Sequence, residues 1–122
     1  MTYDPNLKYD PDIFMKILNG EIKTELIFED DEIFAFDWIN PAAPIHILFV
    51  PKKNIPTIND LVESDDALVG KIILKASEIA KNLGIEDDGY RLIFNVNAGG
   101  GQHVFQIHLH LLAGRSFNWP PG

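Results

Sequence analysis

Three of the four histidines of this chain fall between positions 103 and 110, directly after a run of three glycines. The stretch Gly99-Gly100-Gly101-Gln102-His103-Val104-Phe105-Gln106-Ile107-His108-Leu109-His110-Leu111-Leu112 reads as a glycine-rich turn entering an alternating strand. Side chains on a strand point to opposite faces in turn. Phe105, Ile107, Leu109 and Leu111 are therefore expected on a core face, and Gln106, His108 and His110 on the other. A neutral imidazole can attack phosphorus and leave a covalent intermediate that water then cleaves. A second imidazole beside it can bind phosphate oxygens or pass a proton, while loop N–H groups cradle the same oxygens where glycine permits close approach. Two other readings compete. A His-x-His pair also suits zinc, copper or iron, with His46, His103 or a carboxylate as third ligand. It can equally be a satisfied structural pair. The glycine run lacks the Lys-Ser/Thr of a P-loop and opens no helix, so by itself it is a flexible turn. His46, alone in an apolar run, reads as a core histidine with one hydrogen bond, and Lys52-Lys53 as a solvated strand end.

The elements that must position these groups are legible from spacing. Residues 1–10 show little periodicity and read as an extended or disordered arm ahead of a single domain over 11–122. Asp10-Pro11 suits a helix start, Ile13, Phe14, Ile17 and Leu18 recur at helical spacing, and Gly20 stops the run. Glu25–Glu29 and Glu32–Trp38 read as strands joined at Asp30-Asp31 in a hairpin. Asn40-Pro41-Ala42-Ala43-Pro44 is a rigid loop, and Ile45–Val50 is an apolar strand. Thr57–Leu61 reads as a short helical turn. Ser64 is the expected cap of a long helix whose buried stripe is Leu68, Ile72, Ala76, Ile79 and Leu83, widened by Val69, Ile73 and Ala80. Gly84 ends it. Tyr90–Val96 is a further strand before the glycine loop. The tail carries Phe117 and Trp119, either tacked onto its own core or packed onto a partner. The whole reads as α+β, with a mostly antiparallel sheet, one long helix and a short N-terminal one.

Composition narrows the function classes. A chain of 122 residues can bury a real core as one domain. A net charge of −8 argues against a nucleic-acid binder, which needs clustered Lys and Arg. With no cysteine there are no disulfides, no thiol catalysis and no thiolate metal site. The acidic start is unlike a signal peptide, and no apolar run approaches a membrane span, so the expectation is a cytoplasmic protein with neither membrane nor nucleic acid as partner.

The segment Gly101-Gln102-x-Val104-Phe105-x-Ile107-His108-Leu109-His110-Leu111-Leu112-x-Gly114-Arg115, with Trp119-Pro120-Pro121-Gly122 behind it, resembles the histidine triad (HIT) superfamily, and most of all its Hint branch of nucleoside phosphoramidases. Upstream, Ile27-Phe28-Glu29-Asp30-Asp31, Ala35-Phe36, Asn40-Pro41-x-Ala43-Pro44-x-His46, Val50-Pro51-Lys52-Lys53 and Gly89-Tyr90-Arg91 to Asn95 fall in family order. The resemblance implies a homodimer joining two sheets into one. Its implied substrate is a purine nucleoside 5′-phosphoramidate or related nucleoside monophosphate conjugate, cleaved through a nucleotidyl-histidine. It implies no metal and no cofactor. Carried over by position, His108 is the nucleophile, His110 contacts the phosphate and His46 supports the pair. Asn95, Gly101 and Gln102 lie along the phosphate and leaving group. Phe14, Ile17, Ile22, Phe36, Ile39 and Leu48 fall at the base pocket, and Trp119 reaches the partner's site.

Three positions depart from that pattern. Gln106 stands where the triad opens with histidine; an amide can orient the His108 ring but cannot titrate. Trp38 stands where a ribose-binding acid is expected, with Asp37 one residue early and so on the opposite face. His103 replaces a hydroxyl residue near the leaving group, where it can act as general acid or remain a solvated loop residue. A hydrolase, a nucleotide binder with lost chemistry and a dimeric interaction module are the competing functions.

Overall fold

The computed structural model describes residues 12–122; the proposed arm and the Asp10-Pro11 helix start lie outside them. The elements are α1 (Ile13–Leu18), β1 (Leu26–Glu29), β2 (Ile33–Asp37), β3 (Ile45–Pro51), α2 (Asp66–Asn82), β4 (Arg91–Ile93) and β5 (Leu109–Ala113). All strands pair antiparallel in the order β1-β2-β3-β5-β4. The α+β expectation, with one long and one short helix, holds.

Strand alternation builds two separate cores on the two sheet faces. Ile33 and Ala35 of β2, Ile47 and Phe49 of β3, and Leu109, Leu111 and Ala113 of β5 pack with Ile72, Ala76, Ile79 and Ala80 of α2. The intervening residues Phe34, Phe36, Leu48 and Val50 turn the other way, onto Ile13, Phe14 and Ile17 of α1 and onto Val104. β2 and β3 are apolar on both faces because both faces are covered. His46 and His110 share the parity of the α1 face.

The β1–β2 turn is made by Asp30. Its Oδ1 accepts from the Glu32 and Ile33 N–H groups at 2.8 and 2.9 Å, and its Oδ2 meets Lys71 of α2 at 2.6 Å. The Lys71 ammonium holds the Asp30 carboxyl down at about 2.

Four sequence expectations are corrected. Ser64 does not cap the long helix: a short 3₁₀ turn over Glu63–Asp65 precedes it, and Asp65, bonded to the Val62 N–H and to Lys53, occupies the cap position. Leu83 lies past the last helical residue and is 48% exposed, while Ile73 lies off the buried stripe and is 42% exposed. β4 ends at Ile93 rather than Val96, because the chain departs toward the turn at Asn97, which has φ +58°. The histidine strand begins only at Leu109. Residues 103–108 leave the ladder because they are fastened instead to the segment after β3: Ile107 N–H donates to Ile55 O at 2.8 Å. Phe105 is consequently half-buried and belongs to neither core, and Gln106 does not line up beside the imidazoles.

Candidate active site

β3 and β5 bring the histidines together. In their register His46 stands opposite Leu112 and Leu48 opposite His110, so His46 and His110 are diagonal neighbours on one face. Their rings lie 5.1 Å apart, and His46 Nε2 is 2.9 Å from His110 Nδ1. The Asn40–Pro44 loop places the Ala42 N–H 3.0 Å from His46 Nδ1. His46 thus makes two hydrogen bonds rather than the one expected. His108, just before β5, has its Nδ1 2.7 Å from the main-chain carbonyl of Gln106 and its ring 4.8 Å from that of His110. Phe14 of α1 meets the His108 ring edge-on at 4.8 Å.

These partners fix every proton. An N–H can only donate, so His46 Nδ1 is unprotonated and Nε2 carries the hydrogen. That hydrogen goes to His110 Nδ1, leaving His110 with its proton on Nε2. A carbonyl can only accept, so His108 carries its proton on Nδ1 and presents a lone pair at Nε2. His110 Nε2 is buried and, among the described residues, has no partner. The site therefore offers one nitrogen lone pair and, on the neighbouring ring, one unspent N–H.

Burial keeps all three rings neutral. It lowers His108 to about 4, against the opposing pull of the Gln106 carbonyl, with repulsion from His46 and His103 adding to the effect. It lowers His110 to about 3, reinforced by His108 and His46, and it lowers His46 as well. A small cavity of about 50 Å³ opens here, lined by Trp38, Gly101, His103, Val104, His108 and His110. His103 is thus part of the site wall.

The glycine loop is more committed than its sequence suggests. The N–H groups of Gly100, Gly101 and Gln102 donate to Asn97 O, Ala98 O and Asn97 O, so the loop has turned these donors on itself rather than toward a phosphate. Gln102 is buried, and its amide is spent on the Asn97 N–H, Pro56 O and Val104 O. It is the clamp of the loop. Asn95 lies directly under Gly100 and Gly101. Gly101 has φ +86°, which only glycine adopts without strain.

Several other expected residues are placed differently. Gln106 does not orient the His108 ring through its amide: Oε1 accepts from Ile55 N–H, and Nε2 donates to Pro51 O and Lys53 O. The ring is held by the Gln106 backbone. Asp37 is exposed, on the face opposite Phe36 and Trp38, and does not reach the cavity. Ile39 is half exposed and lines no part of it. Ile17, Phe36 and Leu48 are fully buried floor, Ile22 packs at their edge, and Trp38 rests on Phe14 and Phe36 with its ring 5.8 and 6.5 Å from theirs. Trp119 is 83% exposed, so it is not tacked onto this chain's core. Sequence reasoning missed the Ala42 N–H and the 51–55 segment as supports; the paired prolines around Ala42 were the one available signal. Among the described residues no group of three or more His, Asp or Glu side chains is arranged to hold a metal ion, and His46 and His110 spend facing nitrogens on each other. No helix among them is long and apolar enough to cross a membrane.

Known proteins agree with this architecture. The HIT domain pattern matches residues 19–117. An uncharacterized HIT-like protein of Synechocystis is 48% identical over 110 residues, covering 90% of this chain and 96% of that protein. The purine nucleoside phosphoramidase of Escherichia coli is 48% identical over 103 residues, covering 84% of this chain and 87% of that protein. The crystal structure of a HIT family hydrolase from Legionella pneumophila superposes with a TM-score of 0.86 at 52% identity, covering 90% of this chain and 98% of that one. Motif order, site geometry and these similarities agree: the chain belongs to the HIT domain family.

Proposed function

We propose that this protein is a hydrolase of purine nucleoside 5′-phosphoramidates or related nucleotidyl conjugates, acting through a nucleotidyl-histidine on His108. The observation that carries this reading is the pairing of an open lone pair on His108 Nε2 with a buried, unspent N–H on His110 Nε2. In the first step His108 Nε2 bonds to phosphorus and the phosphorus–nitrogen bond to the leaving amine breaks. His110 Nε2–H donates to a phosphoryl oxygen as charge builds there. His103, on the cavity wall, hands a proton to the departing amine. In the second step water bonds to phosphorus and returns a proton to His103, the bond to His108 breaks with its electron pair going back to Nε2, and a nucleoside monophosphate leaves with the His108 imidazole neutral again. His108 must be neutral to attack and His110 neutral beside it, which is what their burial supplies, and the Gln106 carbonyl at His108 Nδ1 faces the positive charge that the ring takes on while it is bonded to phosphorus. Trp38, on the cavity wall with the buried Phe14 ring edge-on behind it, suits stacking against a base or sugar. The similarity to a purine nucleoside phosphoramidase supports the substrate class.

A second copy of the chain is the expected partner. β4 is an edge strand whose outer main-chain groups are open to pairing, and Ile73 and Leu74 of α2 are 42% and 72% exposed. Light scattering is expected to give twice the chain mass.

The test of the chemistry is a single turnover with adenosine 5′-phosphoramidate, quenched in milliseconds and read by intact mass. One adenylyl group is expected on the wild-type chain and none on His108→Ala. Binding without adduct or turnover would favour a nucleotide binder and sink the hydrolase.

A further inference from the structure

We propose that Gln106 is a positioning residue: its amide immobilises its own main-chain carbonyl, and that carbonyl dictates which nitrogen of His108 is free to react. The rate consequence rests on the hydrolase reading above; the proton assignment does not.

The geometry is closed on both sides of residue 106. Gln106 is 6% exposed, and its side chain makes three hydrogen bonds to one short segment: Oε1 accepts from Ile55 N–H at 3.1 Å, and Nε2 donates to Pro51 O at 2.8 Å and Lys53 O at 2.7 Å. The peptide unit that follows is planar. Its N–H, that of Ile107, donates to Ile55 O at 2.8 Å, so its carbonyl, that of Gln106, must point the opposite way, and there it meets His108 Nδ1 at 2.7 Å. Four hydrogen bonds thus tie the Gln106 side chain and the peptide after it to the 51–55 segment, and a fifth ties the Gln106 carbonyl to the reacting ring.

The set demands two donors and one acceptor on a single side chain. An amide supplies both in every protonation state. A neutral imidazole has one donor and one acceptor, and an imidazolium has two donors and no acceptor. No form of histidine satisfies all three partners, so glutamine at this position gives a clamp that pH does not alter. Charged side chains near it are engaged elsewhere: Lys52 with Glu29 and Lys53 with Asp65.

The test compares wild type, Gln106→Ala and Gln106→Glu. Ring-nitrogen NMR of the full-length protein reads the His108 tautomer without any substrate. Wild type is expected to show Nδ1–H alone, with slow proton exchange, from pH 8 to 5.5. In Gln106→Ala the tautomers are expected to mix at every pH. Gln106→Glu can accept from Ile55 but donate to neither carbonyl while ionised, so it should show mixed tautomers at pH 8 and shift part of the way back toward Nδ1–H as its carboxyl protonates and donates to one of the two carbonyls. With adenosine 5′-phosphoramidate, kcat should fall on the order of 10²-fold in Gln106→Ala, with KM within about twofold, and Gln106→Glu should regain part of its kcat on acidification. Folded Gln106→Ala with a single, slowly exchanging Nδ1–H overturns the proposal. If that variant does not fold, a pH-independent single tautomer in Gln106→Glu overturns it. Absence of wild-type turnover would instead count against the hydrolase and leave the tautomer readout standing.

Discussion

The proton between His46 Nε2 and His110 Nδ1, 2.9 Å apart, belongs to His46, because the Ala42 N–H already occupies His46 Nδ1. A main-chain donor in a proline-flanked loop therefore sets, through two rings, the direction in which His110 offers its N–H. The same rule acts on His108 from the Gln106 carbonyl. Two backbone groups, neither on the strand that carries the histidines, decide that one ring accepts and the other donates.

Breaking the His46 link should remove this polarity. His46→Phe keeps a ring in place but no nitrogen, so His110 can take either tautomer. Single-turnover rates are expected to fall by about 10²-fold or more. The double variant with His110→Ala should cost little beyond the larger single effect, because residues acting as one unit are not additive. Additive losses would show that His46 acts separately.

Stability should decline on mild acidification. The folded chain holds His108 at about 4 and His110 at about 3, whereas the unfolded chain protonates both near 6.5. Between those values the unfolded state binds more protons, so stability is full above about pH 6.5 and falls as pH drops. The slope is up to about 1.4 kcal/mol per pH unit per histidine. Asp30 acts lower: held at about 2 against 3.8, its contribution is present above 3.8 and lost toward 2. Urea midpoints at pH 8, 6.5 and 5 check this, and a midpoint that rises from 6.5 to 5 refutes it.

The acid limb of the rate profile should be displaced in the same direction. His108, lowered to about 4, stays neutral at pH 5, so if it is the nucleophile as proposed, kcat/KM for the phosphoramidate is expected to stay flat down to about that pH. A break near 6.5 would mean that the reacting ring is solvated.

Gly114→Ala should destabilise the junction between β5 and the start of β3. The residue has φ +91°, and an added Cβ would lie 2.8 Å from Pro44 Cβ. Strain and overlap together predict a loss of about 1–3 kcal/mol by urea unfolding. Because Pro44 also bounds the Ala42 loop, slower turnover should accompany the loss.

Removing residues 119–122 should leave the fold intact. Trp119 is 83% exposed, so Tm is expected to move by less than about 4 °C. Preference among amine leaving groups should change more than stability does. A large drop in Tm would place this tail in the core of the assembled protein.

The alternation along Ile33–Asp37, Ile45–Pro51 and Leu109–Ala113, and the stripe Ile72, Ala76, Ile79 and Ala80, are properties of spacing. They set two cores and the side of the sheet on which His46 and His110 emerge before any contact is known. The order of motifs carried the family as well. Spacing says nothing about long-range hydrogen bonds, and those decided the rest. The alternation predicted from Phe105 onward fails before Leu109 because Gln106 and Ile107 bond to residues more than fifty positions away. Asp37 and Ile39 fall near the site in sequence, yet strand parity and exposure carry them off it. A chain lists which side chains can hold a proton; only the folded neighbours, each able to donate or to accept and not both, determine where it sits.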